Sequence, residues 1–257
     1  MTQDWQIDGP KVLDVGGEFE TVRKLSLGLI AGRVDIVTHD DSPTARLEVY
    51  EVDGQPLLVT WDGSTLKVSH VKDKNGNLWE SVKSFSGDIG KRTARMSISV
   101  PATTEVSANT VSADTLVNGV RGRVKASTVT GAITLDDITG NVDVNTVSGD
   151  IECHGLQGDF TGNSISGALT VQASRLRQIR LNTVSGDITL DLTHGAAQIQ
   201  SNSVSGDVTV RIPPGGGFDV SARTASGQVV IDGQSMHGNA PHQLHVEAAG
   251  RANRGKA

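Results

Sequence analysis

Aromatic side chains are nearly missing from this chain: Phe, Trp and Tyr together make up 3% of its 257 residues. A thick core of large rings is therefore excluded, and thin layers of regularly stacked strands suit the composition better. Cysteine is nearly missing too. The lone Cys153 excludes an internal disulfide and gives no sign of an oxidising compartment. The longest apolar run, LSLGLIAG at 25–32, falls far short of the ~18 residues needed to cross a bilayer. The opening MTQDWQIDGPKVLDV has neither the basic nor the apolar region of a signal peptide, so a cytoplasmic location is expected. Positive charge is in deficit, with 23 Lys and Arg against 29 Asp and Glu and a net charge of -6. That balance disfavours bulk attraction to nucleic acid or to anionic membranes. Apolar residues at helical spacing are absent over any three turns, so helix is expected to be nearly absent.

What the chain has instead is glycine, 30 residues of it, and a phrase that returns. NTVSGDIEC stands at 145–153, NTVSGDITL at 182–190 and NSVSGDVTV at 202–210. Aligning the apolar residue before the turn gives Val111, Val129, Val147, Ile165, Val184, Val204 and Ala225, at spacings of 18, 18, 18, 19, 20 and 21 residues. Before this anchor runs a Thr/Ser column (Thr146, Ser164, Thr183, Ser203) and, one place earlier, an Asn column (Asn145, Asn163, Asn182, Asn202). After it come Ser or Thr, a Gly, an Asp or small residue, and then an apolar position such as Ile151 or Ile188. Alternation with apolar side chains in and polar ones out is the mark of strand. A second Gly turn halfway round, as in DDITGNVDVN, gives each coil at least two short strands. The turn glycines are read as serving positive φ, with Ser and Asp bonding back to turn amides.

A coil of about 20 residues cannot bury its own apolar face, whereas stacked coils can. Propeller blades need about 40 residues, and sandwich strands show no column-by-column identity. The sequence thus predicts an all-β fold: a single-stranded β-helix (β-solenoid) of about seven coils, 18–21 residues each. Residues 1–100 alternate without the period and are expected to form an antiparallel β capping region, with a hairpin at Asn75-Gly76. Residues 101–233 hold the repeats, and FSGDI at 85–89 is an off-period copy. Residues 234–257 form a tail expected to be partly disordered.

At AGRVDIV, VPATTEVSANTVSAD, the T-V-S-G-D-I copies and IPPGGGFDVSARTASG the chain resembles a bacterial adhesin-like family of unknown function with β-strand repeats. The resemblance covers roughly residues 25–232. It implies a β-helical fold and no defined ligand, and some relatives occur in envelope-stress signalling contexts.

The candidate sites fall in columns of the repeat. The turn aspartates Asp114, Asp150, Asp187 and Asp207 would suit a cation ladder, but Ala132 and Ala168 interrupt the column. Calcium-binding β-rolls use a denser nine-residue pattern, so turn capping is the favoured role. A polysaccharide lyase or hydrolase needs clustered carboxylates and a base. Asp136, Asp137 and Asp191 with His154 and His194 come closest, led by Asp136, His154 and Asp191. A solvated polar face is the plainer account of them. His237, His242 and His245 include an H-x-x-H, a weak metal candidate in which His242 and His245 lack carboxylate or Cys partners. Arg121, Arg123 and Lys125, and later Arg175, Arg177 and Arg180, alternate outward, but Asp143 and Asp159 break the stripe between them. No nucleophile elbow, phosphate-binding loop or dinucleotide fingerprint is present; GPKVLDVGGEFE is not one.

The expected function is therefore that of a non-enzymatic scaffold or interaction module, regulatory in envelope stress. Its partner would be a protein or a second copy, with no cofactor, nucleic acid or transmembrane segment. A carbohydrate-active enzyme is the alternative.

Overall fold

The computed structural model describes residues 2–17, 20–70, 92–193, 197–213, 218–232 and 244–248. Among them are strands and turns and no helix. The chain is a β-solenoid of about six turns, since seven anchor positions bound six intervals. It divides into two compact units, Met1–Ile133 and Thr134–Ala257. The Asn75-Gly76 hairpin and FSGDI lie outside the described residues.

In the first unit, antiparallel pairs join β1 (Gln3–Ile7) to β5 (Leu57–Trp61), β2 (Lys11–Val15) to β4 (Ala45–Gly54), β5 to β6 (Thr65–Ser69), and β4 to β7 (Arg92–Pro101). The longest strand there, β3 (Lys24–His39), does something the period could not reveal. It pairs in parallel with β6 and β7 along one edge and with β8 (Glu105–Asn118) along the other. Lys24 lies opposite Glu105, a return far longer than one coil, so no repeat marks it in the sequence. Gly32, at φ +116, sits where a side chain would run into the Ala94 backbone. Only glycine lets the two strands approach so closely there. Trp61 is the largest side chain buried in this layer, and its Nε1 donates to Glu20 Oε2 at 2.8 Å. Next along the chain are β9 (Val124–Thr128), which stacks on β8 with Val124 opposite Val106, and β10 (Ile133–Asp136).

In the second unit the coils follow the column alignment. Successive strands are β11 (Thr139–Thr146), β12 (Ile151–His154), β13 (Gln157–Ser164), β14 (Leu169–Thr183), β15 (Ile188–Leu192), β16 (Ala197–Ser205), β17 (Val208–Arg211), β18 (Phe218–Ser226) and β19 (Val229–Asp232). All pair in parallel, coil upon coil, and Asn145, Asn163, Asn182, Asn202 and Arg223 are in register. The step from an 18- to a 19-residue coil is a bulge in β14: Gly158 faces Leu176 and Asp159 faces Gln178, leaving Arg177 extra. Beyond the period, β20 (Leu244–Ala248) adds one more parallel strand on β18. Inward positions are aliphatic and small, with Phe160 and Phe218 as the aromatic exceptions among the described residues. Cys153 takes an aliphatic place between coils and is buried.

The second-turn glycines Gly119, Gly140 and Gly155 take the expected positive φ, whereas most glycines of the repeated phrase have another reason. Gly131, Gly167, Gly186 and Gly206 do not take positive φ. Each instead lies directly over the carbonyl one coil earlier: Gly167 over Gly149, Gly186 over Gly167, Gly206 over Gly186. A Cβ there would sit well inside van der Waals contact with that oxygen. Gly186→Ala should therefore cost about 1–3 kcal/mol or more, as overpacking does. Gly9→Ala, where a Cβ meets nothing within 4 Å, should stay within about 0.5 kcal/mol. Urea unfolding of both variants measures the difference, and equal midpoints would refute the stacking account.

His70, just after β6, is buried with its Nδ1 accepting the Ile30 N–H at 3.4 Å. Burial, helped by the positive charge of Arg92, lowers its pKa from the ordinary 6.5 to about 4. The unfolded chain takes up this proton near pH 6.5 and the folded chain only near pH 4, so stability falls as pH drops through that window. His70→Gln keeps an acceptor for Ile30 but cannot be protonated. Denaturation midpoints measured from pH 7 to 4 should decline less steeply in H70Q than in the parent protein.

Candidate functional site: the outward face of the coils

Each element of the repeated phrase performs a specific bond. The Thr/Ser column points inward and is buried. Thr146 Oγ1 accepts the Gly149 N–H at 2.9 Å, Ser164 Oγ that of Gly167 at 2.9 Å and Thr183 Oγ1 that of Gly186 at 3.0 Å. These hydroxyls close the turn from inside, in the manner of Ser/Thr turn motifs. The serine after the anchor reaches back one coil: Ser166 Oγ donates to the Val147 carbonyl and Ser185 Oγ to that of Ile165, each at 3.3 Å.

The turn aspartates cap amides, though not those of their own turn. Asp114 Oδ1 accepts the Ala132 N–H at 3.0 Å and Asp150 Oδ1 that of Ala168 at 2.9 Å. Asp187 Oδ1 takes the Asp207 N–H at 2.9 Å, and Asp207 Oδ1 that of Gln228 at 2.8 Å. Each carboxylate thus staples its coil to the next one. The alanines that interrupt the column are themselves capped. One oxygen of each carboxylate is committed to backbone, and no group of three potential metal ligands occurs among the described residues.

The asparagines form the expected ladder. Asn163 Nδ2 donates to Asn145 Oδ1 at 2.8 Å, Asn182 to Asn163 at 2.9 Å and Asn202 to Asn182 at 3.0 Å. Asn145 ends the row by donating to Asp143 Oδ1 at 3.0 Å.

The anchor column overturns the expectation that apolar residues of the phrase face inward. Val147, Ile165, Val184 and Val204 are exposed at 38%, 51%, 47% and 54%. Thr146 and Gly149 are both buried, three places apart, so the chain turns its corner on the two residues between them. Alternation slips by one there and leaves the valine outside. Four successive coils thus carry an aliphatic row in solvent, flanked by the Asn ladder and by serines of which Ser166 and Ser185 have bonded hydroxyls.

The enzyme candidates are only partly brought together. His154 Nδ1 lies 3.2 Å from Asp136 Oδ1 on adjacent coils, both exposed. Asp137 beside them takes φ 50 at the turn. The residue in register with His154 on the next coil is Gln172, and Asp191 lies opposite Arg211. His194, His237 and His242 lie outside the described residues. His245 falls in β20 opposite Ser221. Burial pushes the Cys153 thiol far up, with Glu152 adding to it, so a reactive thiolate does not form. Three of the outward arginines are engaged: Arg121 grips both oxygens of Asp40 at 3.3 and 3.0 Å, Arg177 meets Asp159 at 3.4 Å, and Arg180 donates to Gln178 at 3.2 Å.

Stacked coils with side-chain ladders and no helix among the described residues define a β-solenoid. The chain belongs to the Toastrack DUF4097 family, whose profile matches residues 32–253. The fold is shared with a candidate lipid-binding protein from Parabacteroides distasonis ATCC 8503 (TM-score 0.60, 16% identity, 96% of this chain and 97% of that one). A candidate adhesin from Bacteroides fragilis NCTC 9343 also resembles it (TM-score 0.43, 18% identity, 94% and 95% covered). So does another from Parabacteroides merdae ATCC 43184 (TM-score 0.43, 12% identity, 96% and 97% covered). No curated protein matched the chain. No helix among the described residues is long and apolar enough to cross a membrane.

If the aspartates serve as inter-coil staples, Asp187→Ala should cost about 1–3 kcal/mol, the usual loss when a charged hydrogen bond to backbone is removed. Millimolar Ca2+ should leave the thermal midpoint of the parent protein unchanged. A calcium-dependent rise that vanishes in D187A would reinstate the cation ladder.

Proposed function

We propose that this chain is a non-enzymatic interaction scaffold that docks a protein partner along the row Val147, Ile165, Val184 and Val204. Regulation of the envelope-stress response is the setting that the family resemblance suggests. The observation that supports docking is the exposure of that row. Burying exposed aliphatic groups yields about 25 cal/mol per Å2. The flanking Asn and Ser groups already have partners within the stack, so covering them leaves few bonds unmade. A partner that covers this strip gains from the row and loses little on the flanks.

The second reading is a carbohydrate-active enzyme, and the Asp136–His154 pair favours it as an acid–base couple. The two readings separate on variants. Ile165→Ser/Val184→Ser should leave the unfolding midpoint nearly unchanged, because both positions are half exposed. The same variant should abolish capture of the partner that the parent protein retains from an extract of its own cells, or of a second copy by sedimentation. Undiminished capture, or a parent protein that retains no partner and stays monomeric at every concentration, refutes docking on this row. Release of sugar ends from a polysaccharide panel, lost in Asp136→Asn, would establish the enzyme instead.

A further inference from the structure

The Asn, Thr and turn Asp columns spend their bonding inside the stack. On β14, β16 and β18 lie two polar columns that, apart from one bond between Arg180 and Gln178, do not. They wall a trough of about 250 Å3, with Gln178, Gln198 and Asp219 in register along one side and Arg180, Gln200 and Ser221 along the other. Between them, Ile179 and Ile199 contribute the floor with their backbone while their side chains are buried in the core. Arg180 Nη1 donates to Gln178 Oε1 at 3.2 Å. The side chains of Gln198, Gln200, Asp219 and Ser221 make no hydrogen bond with any described residue. Next to an asparagine ladder whose amides bond one another, these are polar groups with capacity left for a ligand.

We infer that this trough binds a neutral glycan chain laid along the coil axis. Arg180 and Asp219 oppose one another in charge, so neither a polyanion nor a polycation is selected. An apolar chain would strip water from three primary amides and replace none of their bonds. A carboxamide offers a donor and an acceptor side by side, which suits hydroxyl groups that both give and take. Repeat length decides between a glycan and a peptide. Coils stack about 4.8 Å apart, close to the advance of one pyranose along an extended chain, whereas an extended peptide advances about 3.3 Å per residue and falls out of step. The sequence signal is the departure from the phrase: Gln178 and Gln198 stand where earlier coils have Asn141 and Asp159, and Gln200 stands where they have Asp143 and Thr161. This inference goes beyond the docking scaffold and does not rest on the aliphatic row.

The test is a titration of the isotope-labelled full chain with neutral hexasaccharides of glucose, xylose and N-acetylglucosamine, alongside a sulfated hexasaccharide and an uncharged hexapeptide. At least one neutral hexasaccharide is expected to bind with a dissociation constant of about 1 mM or tighter and to move the side-chain amide signals of Gln178, Gln198 and Gln200. Gln198→Ala/Gln200→Ala should weaken it about tenfold or more, the loss of two hydrogen bonds, with an unchanged unfolding midpoint. The inference is overturned if no neutral hexasaccharide binds up to about 10 mM, or if only the sulfated sugar or only the peptide binds. Unaltered binding by the double variant overturns it equally. Any of these failures leaves docking on Ile165 and Val184 standing, because that is read on a different variant.

Discussion

Everything in the coil stack depends on how closely one turn glycine can lie over the carbonyl of the glycine before it. Gly167 on Gly149, Gly186 on Gly167 and Gly206 on Gly186 leave no room for a Cβ at the separation that the parallel strand ladders require. At the same separation an Asn side chain reaches its counterpart at 2.8–3.0 Å, and an aspartate reaches the next coil's amide at 2.8–3.0 Å. A larger residue in the glycine column would move every one of these bonds at once. The side-chain ladders are therefore consequences of that separation. Each neutral bond adds only about 1 kcal/mol, yet they are made in the same geometry in coil after coil.

This division of labour explains how so few aromatics suffice. The coil interior is narrow, and aliphatic ranks such as Ile151, Leu169, Ile188 and Val208 fill it with one residue per coil. Inward hydroxyls such as those of Thr146 and Ser164 are satisfied within their own turn, while Ser201 and Ser203 bury theirs without a hydrogen-bond partner among the described residues. Buried hydroxyls without a partner would cost about 1–3 kcal/mol each. The Thr/Ser column thus stays polar, despite being buried, because the turn amide beside it needs an acceptor. That is the reverse of the usual expectation that inside means apolar, and in the same phrase the valine outside completes the reversal.

Much of this was legible in the sequence because a column position is a spatial position in a solenoid. The registers Asn145–Asn163–Asn182–Asn202 could be written down from spacing alone, and even the bulge at Arg177 is visible as a spacing of 19 after 18. Two things were not read. The parallel pairing of β3 with β8 has no repeat to announce it, since its partners lie about 80 residues apart. The outward valine was misassigned although its signal was present. Inward residues fall on even numbers up to Val144 and Thr146 and on odd numbers from Gly149 and Ile151. One slip of parity must lie between, and it forces two adjacent residues outward. The candidate site was harder still, because Asp136 and His154 announce themselves by residue type whereas an exposed valine does so only once the corner is placed.

The outward face then divides by whether its polar groups are spent. Where the columns repeat, as with asparagine and the turn serines, side chains bond to one another, and water or a partner meets a surface with little left to offer except the aliphatic row. Where the copies diverge, at Gln198 and Gln200, the side-chain amides make no hydrogen bond to any described residue. A repeat under selection for stacking alone has no need of such residues, since Asn or Thr at those places would keep the strand and close its own bonds. Recognition in a solenoid of this kind is expected at the positions released from the repeat, and the stack's contribution is to hold them at a constant interval. Here that interval is the parallel-strand spacing, which glycine in the turns permits, so the spacing available to a ligand is fixed by the same ladders that build the fold.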